Sequence, residues 1–316
     1  MAASYYGDSR VRYEDIAATW AERHILHEVG PQAAKRYGVS LRQLEPFLLP
    51  LFLDEIDKAK IDEIVTARRA QGVSTQTIRN DLTALSSVLK FADVDNNPAL
   101  IRLQRLKARR DPIVLPEPAH IERMIGRCPG RMSDLVAFAW RTGLRLEELV
   151  TAERAKLDHV HRQLTVIGKG NKLRVIDLDF GGAYEIVRAM PARLGCKWLF
   201  WHGEGEPYRN LSSRFAGLVQ GELAAAESAA REARHAEPAF RKFRFHDLRH
   251  RHAVDWLKAG RSIYDLQQRL GHGSVKTTEI YLKFLTPEET RVAMFGPQTA
   301  TPQPTGTVLA LPPRGA

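Results

Sequence analysis

Tyr281 and the basic side chains that precede it are the residue types that phosphodiester chemistry needs. Tyr281 lies nine positions after His272 (281 − 272) and 32 after Arg249 (281 − 249), within reach of the segment His246-Asp247-Leu248-Arg249-His250. Attack on a phosphodiester needs a nucleophile, donors or cations that offset charge on the non-bridging oxygens, and an acid for the leaving oxygen. We therefore interpret Tyr281 as a candidate nucleophile for a phosphate.

The spacing of His246 and Arg249 favours a shared binding face. The two residues are three positions apart, so they lie on one side of a helix if the segment is helical. A guanidinium group matches phosphate oxygens in a bidentate fork that lysine cannot form. Arg249 is therefore a candidate phosphate clamp.

Composition points to a polyanionic partner. The 316-residue chain has 47 Lys and Arg against 37 Asp and Glu, a formal net charge of +10 and a pI of about 9.7. This balance fits nucleic acid, although a merely basic protein would look the same. The length is sufficient for two domains.

Cysteine content and hydropathy bear on the compartment. The chain has two cysteines, Cys128 and Cys196, and its first residues have no apolar segment typical of a signal peptide. The longest apolar stretch, 44–53, is interrupted by a glutamate and two prolines and is far shorter than the roughly 20 residues that span a bilayer. We expect a cytoplasmic, nucleoid-associated protein without membrane contact.

The N-terminal third is predicted to be helical. Residues 60–91 read as two helices separated by Gln71-Gly72-Val73-Ser74, with Gly72 ending one and Ser74 capping the next. The second helix has an apolar stripe, and its opposite face, with Arg79 and Lys90, is either a phosphate-contacting surface or a solvated one.

A basic, proline-punctuated segment follows these helices and marks the domain boundary. Its cations are Arg102, Arg105, Lys107, Arg109 and Arg110. Such a connector could lie across a DNA backbone or be an ordinary solvated linker, and the net charge favours the first. We place the boundary segment at 108–116.

The remaining sequence combines helices with one hairpin. Runs 163–167 and 173–178 flank Gly168-Lys169-Gly170-Asn171-Lys172, a pattern typical of a β-hairpin with lysines at its tip. Thr142-Gly143-Leu144-Arg145 opens a helix, residues 218–234 form another, and Thr286-Pro287-Glu288-Glu289 starts the last one as a capping box. Residues 296–316 are expected to be a disordered tail.

These motifs together resemble the tyrosine recombinases, or phage-type integrases. The resemblance rests on the His246-Asp247-Leu248-Arg249-His250 box, Leu270-Gly271-His272, Tyr281, Thr142-Gly143-Leu144-Arg145 and Gly168-Lys169-Gly170. It covers residues 113–290 strongly. Residues 54–91 resemble the helical core-binding domain of the family less specifically.

The resemblance implies a role for each matching residue. Arg145 and Arg249 would bind the non-bridging oxygens of the scissile phosphate, and His272 would donate a further hydrogen bond. Tyr281 would attack and become linked to the 3′ phosphate. Lys169 would protonate the departing 5′ oxygen, and His246 would assist proton transfer at the tyrosine. Glu148 matches an acidic position that supports the site.

The resemblance also implies the architecture and partners. We expect a mainly α chain with a small antiparallel β-sheet, in two domains: a helical core-binding domain (1–107) and a mixed α/β catalytic domain (117–295) of the DNA breaking-rejoining fold. The protein would bind double-stranded DNA with specific recombination sites as a homotetramer, whereas the free protein would be a monomer or weak oligomer. Accessory DNA-bending proteins would be further partners. The basic residues expected to contact DNA are Arg79, Lys90, Arg105, Lys107, Arg109 and Lys172. Catalysis needs no cofactor and no metal.

Three alternatives stay open at this stage. His246 and His250 have the spacing of a zinc-protease helix, but an aspartate stands where the catalytic glutamate would be, and Arg249 and Arg251 disfavour a cation. Type IB topoisomerases use a similar residue set to relax supercoils. A non-catalytic, integrase-derived DNA-binding regulator would be expected to lack at least one catalytic position, and none is lacking here.

Overall fold

A computed structural model describes residues 10–25, 27–107, 112–168, 172–234 and 237–297. The chain divides between Pro112 and Ile113 into two compact units. The first unit is built from helices, and the second combines helices with two small antiparallel sheets. The expectation of a mainly helical chain with a small antiparallel sheet is confirmed.

The first unit packs its helices around one apolar core. Their bounds are α1 (Tyr13–Trp20), α2 (Pro31–Leu48), α3 (Lys58–Ala70), α4 (Thr75–Phe91) and α5 (Pro98–Arg105). As the sequence predicts, Gly72 adopts a positive φ of 74° just after α3, and the Ser74 side chain accepts a hydrogen bond from the backbone N–H of Thr77 at 3.2 Å. The apolar stripe of α4 is buried in this core.

A buried ion pair joins α3 to α4. Arg68 and Asp81 expose 4% and 2% of their surface, and Nε of Arg68 donates to Oδ2 of Asp81 at 3.1 Å. The Nη1 atom of Arg68 also donates to the amide oxygens of Gln43 and Gln71, at 2.8 and 2.5 Å. Each charge therefore relies on the other, because both are removed from water.

Within the described residues of the second unit, the α-helices are labelled α6 to α13. Their bounds are α6 (Pro118–Arg127), α7 (Met132–Thr142), α8 (Leu146–Val150), α9 (Ala183–Ala189), α10 (Leu211–Glu232), α11 (Asp247–Lys258), α12 (Ile263–Leu270) and α13 (Pro287–Phe295). Helix α7 is central and packs against α6, α9 and α11. Helix α10 begins seven residues earlier than the sequence suggested (218 − 211), while the predicted Thr286 capping box of α13 is confirmed.

Two small sheets complete the second unit. The first has the strand order β1-β2-β3, from Leu157–Asp158, Gln163–Ile167 and Leu173–Asp177, and the second pairs β4 (Trp201–His202) with β5 (Glu206–Pro207). Gln163 pairs with Asp177 and Ile167 with Leu173, which confirms the predicted hairpin. Within the described ranges, no helix is long and apolar enough to cross a membrane.

We expect Asp81→Ala to lower the free energy of unfolding by about 3 to 5 kcal/mol, because it leaves the buried Arg68 guanidinium without its carboxylate. Urea denaturation measures the change. The matched control is Glu63→Ala on α3, which removes an exposed pair with Lys60 (2.7 Å) and should cost less than about 1 kcal/mol. Equal losses for the two variants would contradict the importance of the buried pair.

Candidate active site

Arg249 is the most buried cation of the site. It lies on α11 with 3% of its surface exposed. Nη1 donates to the carbonyl of Gly143 at 2.7 Å, and Nη2 donates to the carbonyl of Leu270 at 2.6 Å. These oxygens belong to the C-terminal ends of α7 and α12, where the helix dipole favours a positive charge. The guanidinium is thus held by carbonyls rather than by a carboxylate.

Two glycines in left-handed conformation form those helix ends. Gly143 caps α7 with a φ of 67°, and Gly271 caps α12 with a φ of 64°. A Cβ atom on Gly143 would lie 2.4 Å from Cδ2 of the fully buried His252. Both the backbone conformation and the space therefore require glycine at position 143.

His272 follows the α12 cap and contacts Arg249. Its Nε2 atom lies 3.2 Å from Nη2 of Arg249, and its Nδ1 atom lies 2.9 Å from Oγ1 of the buried Thr278. Because a guanidinium only donates, Nε2 accepts, and the ring proton lies on Nδ1 toward Thr278. The imidazole is therefore fixed in orientation on both sides.

Tyr281 lies in a 3₁₀ segment, Glu279–Phe284, with 1% of its surface exposed. Its hydroxyl is 3.0 Å from Nδ1 of His250. The exposed His246 stacks edge-on against His250, with ring centroids 5.1 Å apart. The histidine nearest the hydroxyl is thus His250, and His246 is one ring further away.

Arg145 and Glu148 lie together at the start of α8. The backbone N–H of Arg145 donates to Oε2 of Glu148 at 2.8 Å, and Nη1 of Arg145 donates to Oε1 at 3.2 Å. The Nη2 atom of Arg145 donates to the carbonyl of Gly271 at 3.2 Å. From β3, Arg174 donates to both oxygens of Glu148, at 2.6 and 2.7 Å. One carboxylate therefore serves two arginines.

Burial and excess positive charge shift the pKa values of the site. Burial, with neighbouring cations, lowers the pKa of Arg249 to about 9 and the pKa values of His250 and His272 to about 4. Burial raises the pKa of Tyr281, although Arg249 and Arg145 oppose the rise. Burial would also raise the pKa of Glu148, but the hydrogen bonds from Arg174 and Arg145 outweigh it and lower that pKa.

The structure brings together most of the residues that the sequence singled out. Arg145, Arg249, His272 and Tyr281 form one contiguous site with Glu148. His246 lies at its margin, beside His250. Lys169 falls outside the described residues.

The residues predicted to contact DNA have different surroundings. The guanidinium of Arg79 donates to the carbonyls of Leu103 (2.7 Å) and Leu106, so it ties α4 to the end of α5. Arg109 falls outside the described part of the chain. The remaining four are exposed: Lys90, Arg105, Lys107 and Lys172.

Sequence reasoning gave no role to three residues of the site. His250 was within the recognised box, and its i,i+4 spacing from His246 could have placed both on one helix face. Arg174 follows the lysine-bearing turn on a strand, and Thr278 lies three residues before Tyr281. No local sequence pattern marks either residue, because Arg174 pairs with Glu148, 26 residues away, and Thr278 pairs with His272, six residues away outside any regular repeat.

The zinc-protease alternative receives no additional ligand. His246 and His250 are adjacent, but no group of three His, Cys, Asp or Glu side chains able to hold a metal ion occurs in the chain as far as it is described. Nδ1 of His250 is already engaged by Tyr281.

Comparison with known proteins places this chain in one family. The model of the phage integrase family matches residues 117–286, more than half of the chain. The chain belongs to this family and is a tyrosine recombinase, an enzyme that breaks and rejoins DNA strands at specific sites. The topoisomerase and regulator alternatives are not favoured.

Its relatives include proteins named tyrosine recombinase XerC. The protein from Shewanella amazonensis is 22% identical over 84% of this chain and 90% of its own length. That from Chromohalobacter salexigens is 27% identical over 83% and 90% of the respective chains.

Solved structures share the fold. The Tn1549 transposon integrase in complex with transposon right end DNA has a TM-score of 0.68 at 19% identity and covers 89% of this chain and 98% of its own. A lambda integrase dimer bound to a core site has a TM-score of 0.66 at 15% identity, covering 86% and 77%.

We expect Gly143→Ala to disrupt the site, because the new Cβ would meet His252 at a φ that L-residues rarely adopt. The variant should lose at least about 2 kcal/mol of unfolding free energy, together with most DNA cleavage. Gly126→Ala is the matched control, since its Cβ would meet nothing within 4 Å. A Gly143→Ala protein as stable as this control would refute the packing argument.

The stability of the protein should decrease on acidification. Because folding lowers the histidine pKa values from 6.5 toward about 4, the unfolded chain binds more protons between these values, and stability falls as the pH drops through that window. Replacing His250 with Gln should reduce the loss by about 1 to 2 kcal/mol, discounted for partial exposure. Urea denaturation at pH 7 and pH 5 measures it. The exposed His161→Gln is the control, and identical pH profiles for all three proteins would contradict the prediction.

Proposed function

We propose that Tyr281 attacks the scissile phosphodiester of a specific duplex site and forms a 3′-phosphotyrosyl intermediate. The observation that carries this proposal is the contact between the Tyr281 hydroxyl and Nδ1 of His250 (3.0 Å), within the field of Arg145 and Arg249. The oxygen of Tyr281 bonds to phosphorus while the bond to the 5′ oxygen breaks. Attack by a 5′ hydroxyl on the phosphotyrosine reverses these steps, so rejoining needs no ATP.

Arg145, Arg249 and His272 are proposed to bind the non-bridging oxygens. The Arg145 side chain is 33% exposed and accessible to a ligand, whereas the buried Arg249 is held by the carbonyls of Gly143 and Leu270. Preorganised donors of this kind stabilise the charge that develops in the transition state and take the place of a metal ion. The scissile phosphate would add negative charge beside these cations.

His250 is proposed to take the proton of Tyr281, with His246 as the outer member of the pair. A neutral imidazole can accept from the phenol, and an anionic phosphate between the arginines would raise the pKa values of His250 and His272. A protonated His272 could then donate through Nε2. This modifies the role that the sequence gave to His246 alone.

The leaving 5′ oxygen needs a proton, and Lys169 is the residue assigned to supply it. The assignment rests on the sequence motif Gly168-Lys169-Gly170 alone. An ammonium group at a hairpin tip is a suitable general acid for an alkoxide.

The protein is proposed to work on double-stranded DNA as a homotetramer, with accessory DNA-bending proteins where the site requires them. Exchange requires cleavage of four strands across two duplexes, two at a time. A lambda integrase with the same fold forms a tetramer bound to a Holliday junction. Residues 1–107 would form the core-binding domain and contact DNA through exposed cations such as Lys90, Arg105 and Lys107. Residues 117–295 would form the catalytic domain.

A covalent-capture experiment tests the nucleophile and identifies the target. Nicked duplexes with a randomised core are incubated with the protein, and adducts that resist denaturation but yield to protease are sequenced. The wild-type protein should form adducts, Tyr281→Phe should form none, and the control Tyr264→Phe, at an exposed tyrosine, should behave as wild type.

The controls separate this function from its alternatives. EDTA should leave adduct formation unchanged, because guanidinium groups offset the phosphate charge. Adducts formed by Tyr281→Phe would overturn the proposed nucleophile, and loss of activity on chelation would argue for a metal enzyme. Strand exchange between two captured sites, rather than relaxation of a supercoiled plasmid, distinguishes a recombinase from a topoisomerase.

A further inference from the structure

Glu148 is shared unequally between two arginines. Both of its oxygens are engaged by Arg174 at 2.6 and 2.7 Å, whereas the guanidinium of Arg145 makes one longer contact of 3.2 Å. The bidentate geometry of Arg174 is the stronger arrangement. Glu148 is 3% exposed, so its charge has little access to water and depends on these cations.

The position of Arg174 is built into the surrounding backbone. Its Nε atom donates to the carbonyl of Arg269 at 3.1 Å, and its side chain is only 14% exposed. Two glycines make room for it, since Cβ atoms on Gly168 and Gly271 would lie 3.1 and 2.9 Å from its Nη1 atom. The guanidinium is therefore fixed between β3 and the end of α12.

We propose that Arg174 is a positioning residue that occupies the Glu148 carboxylate and so keeps the Arg145 guanidinium available to the scissile phosphate. This inference rests on the proposed role of Arg145. Arg174 itself does not touch the reacting atoms.

The physical reason is competition for one buried carboxylate. Without Arg174, Glu148 would be a poorly compensated buried charge, and the nearest replacement is Arg145, which already contacts Oε1. A full ion pair would neutralise Arg145 and turn it away from the phosphate. If Arg174 did not pair with Glu148, its charge would only add repulsion toward Arg145 and Arg249.

Single-turnover cleavage of a captured, nicked duplex tests the proposal. Arg174→Met keeps the length of the stem without the charge and should lower the cleavage rate constant about 100-fold, the scale of a misplaced catalytic group. Arg188→Ala, which removes an exposed pair with Glu185, is the control and should cleave as wild type. Thermal melting of each protein reports folding separately.

A substrate substitution shows which step Arg174 serves. Replacing one non-bridging oxygen of the scissile phosphate by methyl removes the charge that Arg145 offsets. The loss in cleavage rate constant caused by Arg174→Met should therefore shrink on this substrate, as should the loss caused by Arg145→Ala. Replacing the bridging 5′ oxygen by sulfur gives a leaving group that needs no proton, and here the deficit should persist. Relief by sulfur rather than by methyl would overturn the proposal, because Arg174 would then serve the leaving group.

A double-mutant cycle with Glu148→Gln gives an independent outcome. The neutral amide that this substitution introduces still accepts from the Arg145 backbone but cannot neutralise its guanidinium. Adding Glu148→Gln to Arg174→Met should therefore raise the rate constant severalfold. A further decrease would mean that Arg174 is only structural. Because the double variant buries no unpaired charge, it remains informative if Arg174→Met fails to fold.

These results are distinguishable from failure of the proposed function. If Tyr281 were not the nucleophile, Tyr281→Phe would still form adducts. If only the Arg174 inference failed, Tyr281→Phe would be inactive while Arg174→Met cleaved like Arg188→Ala.

Discussion

The site depends on a buried guanidinium that, among the described residues, is held by backbone carbonyls and not by a carboxylate. Arg249 is compensated by the carbonyls of Gly143 and Leu270, at the ends of two helices. Partial charges on helix C-termini fix such a cation and lower its energy, but they do not cancel its charge. A carboxylate in their place would leave no net attraction for an anion. The fold thus presents a positive charge although its desolvation lowers the pKa of Arg249, and the glycine caps of α7 and α12 aim the carbonyls that compensate it.

The same charge determines the state of the neighbouring groups. The charge of Arg249 repels the charge of Arg145, and the Glu148 carboxylate offsets part of this repulsion. His250 and His272, near this cluster, have pKa values lowered to about 4 by burial and neighbouring cations, and they are neutral at neutral pH. A neutral imidazole can accept the tyrosine proton, which an imidazolium could not. In the proposed mechanism, excess positive charge would therefore both attract the phosphate and keep the acceptor neutral.

The sequence predicted the class of protein, and the structure brings together most of the site residues that it singled out, because each was tied to a local motif. Ser74 and Thr286 cap the starts of α4 and α13 as their residue patterns predicted, while Gly143 and Gly271, which belong to the recognised motifs, end α7 and α12. The sequence assigned proton transfer at Tyr281 to His246, whereas the histidine that contacts the hydroxyl is His250. Helix periodicity places both on one face, and which of them meets Tyr281 depends on where the 3₁₀ segment packs. Arg174 was missed because its partner, Glu148, lies 26 residues away on another element. Long-range pairing of charges leaves no periodic trace in the sequence.

The burial of Tyr281 has two opposing effects on its hydroxyl. Removing the phenol from water raises its pKa, which by itself makes a poorer nucleophile at neutral pH. The same removal from water strengthens every electrostatic interaction that the hydroxyl makes, so Arg145 and Arg249 stabilise a developing phenolate more than they could at the surface. A phosphate that enters between these arginines reduces their pull on the phenolate but restores basicity to His250. In the proposed mechanism, phenol activation and phosphate binding are consequently coupled through one set of charges, and the hydroxyl would stay protonated until the phosphate is in place.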